Sequence, residues 1–128
     1  MKPNPVVWFE IYVQDMERAQ AFYEAMLQIK LEPLSLPDSD DSTMEMRAFP
    51  MGEKTVGAGG ALVKMEGVPS GGMGTLVYFS CEDCSVEAQR AAANGGSISK
   101  HKMAIGPFGF ITLVQDTEGN MIGLHSMQ

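Results

Sequence analysis

The chain has little positive charge: 9 Lys and Arg stand against 16 Asp and Glu, for a formal net charge of −7 and a pI near 4.7. A nucleic-acid binder needs a basic face to meet phosphates, so that class is disfavoured, and so is attachment to an anionic membrane surface. No apolar run approaches the roughly 20 residues that a bilayer span requires. Only two cysteines occur in 128 residues, too few for a disulfide framework, which points to reduced thiols and a cytoplasmic setting. The opening MKPNPVVWFE carries one Lys, two prolines and no small-residue cleavage site, and does not read as a secretory leader. Histidine is scarce, with His101 and His125 alone, and together with Glu10 they are scattered candidates for a metal with no paired spacing. Tryptophan occurs once, as Trp8.

Methionine, by contrast, is abundant, with 11 copies. Its flexible thioether suits irregular core packing or a deformable pocket wall. At the start, VVWFEIYVQD alternates over residues 6–15. Val7, Phe9, Ile11 and Val13 share one face of a strand, and Trp8, Glu10 and Tyr12 share the other. Asp15 then offers an N-cap, and Ala19, Phe22, Tyr23, Met26 and Leu27 recur at helical spacing. Strands are predicted at about 30–36, 43–51 and 58–65, and the glycine-rich EGVPSGGMG at 66–74 reads as a connection.

The pattern then restarts. TLVYFSCED forms a strand that ends at Asp83, as the first strand ends at Asp15. A helix follows with Cys84, Ala88, Ala91 and Ala92 on one stripe, stopped by Gly95-Gly96. Three more strands are predicted in SISKHKMAI, GFITLVQD and NMIGLHSMQ, with a tight turn at DTEG. The order β-α-β-β-β thus occurs twice, and the two capping aspartates are 83 − 15 = 68 positions apart. The division expected is a first module at 5–66, a linker at 67–73 and a second module at 74–128, all within one α+β domain.

Two strings carry a family resemblance. D15-M-E-R-A-Q-A-F-Y23 resembles the D-x-x-R-[A/S]-x-x-F-Y opening of many vicinal oxygen chelate proteins, and D116-T-E-G-N120 resembles their D-P-[D/E]-G-N, with Thr117 in place of proline. That superfamily includes glyoxalase I, extradiol dioxygenases and the fosfomycin and bleomycin resistance proteins. The resemblance covers nearly the whole chain and is nearest to small glyoxalase-like or bleomycin-resistance-like members. It implies two βαβββ modules forming a curved eight-stranded mixed sheet around a cavity, with the helices outside. It also implies a homodimer.

Under that resemblance Trp8, Glu10, Tyr12, Ala61, Leu76, Tyr78, Ser80, Met121, Gly123 and His125 face the cavity, and Phe108 sits on a glycine-flanked hairpin over its mouth. Catalytic members of the superfamily bind a divalent metal at four cavity positions, which fall here on Trp8, Ala61, Leu76 and Gly123. None of these side chains offers the donor that such an ion takes, so no metal and no other cofactor is expected. The CxxC formed by Cys81 and Cys84 lacks both the flanking residues of a redox site and the second pair of a zinc site.

A cavity lined in this way suits a small amphipathic or aromatic molecule, with Trp8 for stacking and Glu10, Tyr12, Tyr78, Ser80 and His125 as polar handles. The alternative is a glyoxalase-like lyase or isomerase, related to lactoylglutathione lyase, with Glu10 or His125 as the catalytic general base. A lesser alternative is a dimerisation or interaction module with no small-molecule ligand.

Overall fold

The computed structural model describes residues 6, 8–35, 44–52, 56–72 and 76–128. The first module comprises β1 (Trp8–Tyr12), α1 (Met16–Leu27), β2 (Glu32–Pro33), β3 (Met44–Ala48) and β4 (Gly59–Met65). The second comprises β5 (Tyr78–Ser80), α2 (Cys84–Ala93), β6 (Ser97–Ala104), β7 (Phe110–Gln115) and β8 (Met121–Ser126), with a short 3-10 turn at Gly106–Phe108. Each module forms a four-stranded mixed sheet, in the orders β1-β4-β3-β2 and β5-β8-β7-β6. The doubled βαβββ order is therefore present, and the eight strands are divided between two sheets whose edge strands β1 and β5 are not hydrogen-bonded to each other.

The helices begin where the sequence places caps. Asp15 accepts from the Arg18 amide at 3.0 Å, and Asp83 from the Ser85 amide at 3.1 Å. The helix-side faces of both sheets meet in one core. Ile11, Val13, Phe22, Tyr23, Met26 and Leu62 of the first module pack there. Cys84, Ala88, Ala91, Val114, Ile122 and Leu124 come from the second. Burying one such Leu, Ile or Phe contributes about 1.5–3 kcal/mol. The alternation predicted for β1 holds within the described residues: Ile11 and Val13 are buried, Phe9 is half-buried against the same core, and Val7 lies outside the described residues.

The two family-like strings interlock across the modules. Glu118, on the β7–β8 turn, has a fully buried side chain. Its Oε1 accepts from the Gln14 and Asp15 amides, both at 2.9 Å, so a carboxylate of the second module caps the first module's helix. Arg18 adds a two-pronged contact, Nε to Oε2 at 2.7 Å and Nη2 to Oε1 at 3.0 Å, and the Thr117 hydroxyl donates at 2.7 Å. Burial pushes this carboxyl up, but the Arg18, Thr117 and amide donors outweigh it and hold the group at about 2. Beside it, Asp116 accepts from the Tyr23 hydroxyl at 2.6 Å, and burial followed by the Asp116 charge raises that phenol well above its ordinary range. Asn120 completes the clasp by donating to the Tyr12 carbonyl at 2.8 Å. These motifs hold the modules together.

Candidate functional site in the seam between the modules

The polar face of β1 is organised around its central carboxylate. Trp8 Nε1–H donates to Glu10 Oε2 at 3.2 Å, and the Tyr12 hydroxyl donates to Glu10 Oε1 at 2.7 Å. Residues two apart on a strand share a face, so the alternation that exposes the three groups also brings them into contact. The hydrogen bond to Glu10, with burial second, raises the Tyr12 phenol above its ordinary value. Trp8 is 37 % exposed, so it does not seal the sheet as a core residue would.

Glycine sets how close the aromatic rings lie to the strands. Gly59 pairs with Trp8, and a Cβ there would stand 3.3 Å from the indole and 3.0 Å from the Met51 sulfur. Gly123 pairs with Tyr78, and a Cβ there would overlap the phenol ring. The space above Gly123, where the resemblance puts a metal ligand, is thus taken by an aromatic side chain. Ala61, another such position, is fully buried in a small cluster with Met46 and Val63. Together with Trp8 and Leu76, these positions present rings, alkyl groups and bare backbone, a set that does not fit a divalent metal. Among the described residues, no three His, Cys, Asp or Glu side chains are grouped to hold a metal ion.

A recess of about 750 Å³ opens between β1 and β5. Trp8, Phe9 and Glu10 line it from one side, and Leu76, Tyr78, Phe79 and Ser80 from the other. Its floor is aromatic: Phe9 and Phe49 have ring centroids 5.2 Å apart, and Phe49 and Phe79 5.6 Å apart. A second hollow of about 300 Å³ lies further along β1, lined by Glu10, Tyr12, Asn120 and Met121.

The predicted site residues therefore separate. Trp8, Glu10, Leu76, Tyr78 and Ser80 meet at the larger recess, and Tyr12 and Met121 at the smaller. Ala61 and Gly123 are covered by their neighbours. His125 lines neither opening, and its Nε2 lies 2.6 Å from the Phe108 carbonyl oxygen. Phe108 is 70 % exposed and lines neither. Sequence reasoning missed Phe9, Phe49, Phe79 and Glu87, all of which line the larger recess. For Glu87 a signal existed. It lies three residues after Cys84 and four before Ala91, on the small-residue stripe of α2 that faces the sheet.

Residues 6–29 match the family model described as bleomycin resistance protein-like N-terminal. A search of curated proteins returns no match. Among solved structures, maize (Zea mays) glyoxalase I is similar with a TM-score of 0.73 at 20 % identity, over 99 % of this chain and 47 % of that one. The chain thus spans about half the length of that enzyme. A glyoxalase/bleomycin resistance protein/dioxygenase domain from Frankia sp. EAN1pec matches with a TM-score of 0.67 at 17 % identity, over 99 % of this chain and 100 % of that one. A glyoxalase/bleomycin resistance protein/dioxygenase family enzyme from Burkholderia phytofirmans matches with a TM-score of 0.67 at 13 % identity, over 94 % and 97 % of the two chains. The chain carries the vicinal oxygen chelate fold, the fold of the glyoxalase, bleomycin resistance and dioxygenase proteins.

Proposed function

We propose that this protein binds a small amphipathic or aromatic molecule, without a metal, in the recess between β1 and β5. The observation that carries the reading is the recess itself: about 750 Å³, floored by Phe9, Phe49 and Phe79 and rimmed by Trp8 and Tyr78. That size and lining suit a ligand of one to three rings, held by apolar contact and oriented by a few polar groups. Trp8, Glu10, Leu76, Tyr78 and Ser80 are the sequence-predicted residues assigned to it, and Tyr12 and Met121 lie at the smaller hollow beside it. A homodimer and a cytoplasmic location belong to the same proposal; among the described residues, no helix is long and apolar enough to cross a membrane.

The enzymatic alternative has weaker support. Glu10 holds the Trp8 indole and the Tyr12 hydroxyl, His125 is engaged with the Phe108 carbonyl, and His125 lines neither the recess nor the smaller hollow. An acid–base pair at one substrate needs both groups within reach of the proton that moves. The test is emission from Trp8, the chain's single indole. Titration with naphthalene-type and indole-type compounds should give saturable quenching or a spectral shift. Emission that no compound alters up to its solubility limit would refute the reading.

A further inference from the structure

We propose that Glu87 pairs with a positively charged group on the molecule held in the recess, so that the ligand is an aromatic or amphipathic amine. This rests on the recess being a ligand site, as proposed above. The recess has two carboxylates among its described lining residues, Glu10 and Glu87, and no Lys, Arg or His. They are not equivalent. Glu10 is committed, one oxygen to the Trp8 indole and the other to the Tyr12 hydroxyl. Glu87 is less so: no hydrogen bond of ordinary geometry reaches its buried Oε1, and the polar side chain set against it is the Cys81 thiol, a weak donor.

A buried carboxylate oxygen that has exchanged water for a thiol is under-satisfied, because the thiol is a weak donor. Native structures contain few such atoms, and each calls for a physical reason. Here α2 sets Glu87 on the stripe it shares with Cys84 and Ala91, which turns the carboxylate towards the sheet. The nearby groups do not neutralise it. The Cys81 thiol is a weak donor, and burial, followed by the Glu87 charge and the hydrogen bond to Glu87, pushes that thiol up to about 12. Arg90 shares with Glu87 a separate hollow of about 300 Å³ but makes no ion pair with it within 4 Å. A ligand ammonium would supply the Glu87 carboxylate with a stronger donor and the missing charge, while its apolar body covers Phe9, Phe49 and Phe79. The net charge of −7 favours the approach of a cation.

Three compounds of one shape separate the terms: 2-naphthylmethylamine as its ammonium ion, 2-naphthylmethanol and 2-naphthoate. Calorimetric titration of the wild-type protein at pH 7 should rank the ammonium ion at least ten-fold tighter than the alcohol, and the carboxylate weakest. Glu87→Gln keeps the shape and should bring ammonium ion and alcohol to within about two-fold. A second measurement needs no variant: the ¹³C resonance of the Glu87 carboxyl should move with the ammonium ion and not with the alcohol. Persistence of the preference in Glu87→Gln, or a silent Glu87 resonance, overturns the assignment. Equal binding of all three compounds by the wild type also overturns it but leaves the recess as a ligand site. Binding of none refutes the recess reading itself.

Discussion

Replacing Glu118 by Gln tests whether the family-like strings are a structural clasp. Glu118 is depressed from the usual 4.5 to about 2 in the folded chain. A difference of that size corresponds to a ceiling of about 3 kcal/mol of stability at neutral pH. Arg18 is 52 % exposed, and solvent screening of that half of the pair reduces the electrostatic part to about 1–2 kcal/mol. Gln also turns an N–H₂ towards donors on Arg18 or Thr117, which adds about 1 kcal/mol for a lost and unreplaced hydrogen bond. The sum is about 2–3 kcal/mol, or roughly 6–12 °C in Tm for a domain of this size.

Because the folded pKa is lowered, this stability is present above the unfolded value of about 4.5 and is lost as pH falls through about 2. Thermal or urea unfolding followed by circular dichroism should therefore show a large gap between wild type and Glu118→Gln at pH 7. The gap should narrow progressively below about pH 4.5. A Tm change of less than about 2 °C at pH 7, or a gap that is the same at pH 7 and pH 3, would refute the reasoning.

Gly123→Ala places a Cβ against the Tyr78 ring and should cost about 1–3 kcal/mol in urea unfolding, while the same change in a Tyr78→Ala background should cost close to nothing; equal costs in the two backgrounds would show that the ring does not lie there. Cys81 is pushed up to about 12 and Cys84 is fully buried, so the native protein at pH 8 should react slowly with a disulfide reagent and release two thiols promptly once denatured; fast labelling of either in the native state would contradict the packing.

Local signals in the chain carried much of the fold. The alternation of Phe9, Ile11 and Val13 against Trp8, Glu10 and Tyr12 is a property of the extended backbone and survives folding. Asp15 and Asp83 cap helices because a short acceptor there satisfies free amides wherever the helix later docks. Strand lengths were less legible. β5 spans Tyr78–Ser80 and β2 only Glu32–Pro33, since ladder ends depend on partner strands and not on their own residues alone.

The site was legible on one face only. Trp8, Glu10, Leu76, Tyr78 and Ser80 follow from period two, but the recess sits between two sheet edges and takes Phe9, Phe79 and Glu87 from the helix side as well. That requires knowing how far apart the modules stand, which no local pattern encodes. Phe108, expected over the cavity mouth, lies on the 3-10 turn with its carbonyl against the His125 ring and does not line the recess.

The central claim is that a small molecule occupies the seam between β1 and β5, and backbone and indole NMR of the full chain tests it most directly. With a saturating aromatic ligand, the account predicts shifts concentrated at the Trp8 indole N–H and the amides of Phe9, Glu10, Tyr78, Phe79 and Glu87, with the 105–109 turn unmoved. Shifts confined to that turn and to His125, or a spectrum unchanged by every aromatic compound tried, would contradict it.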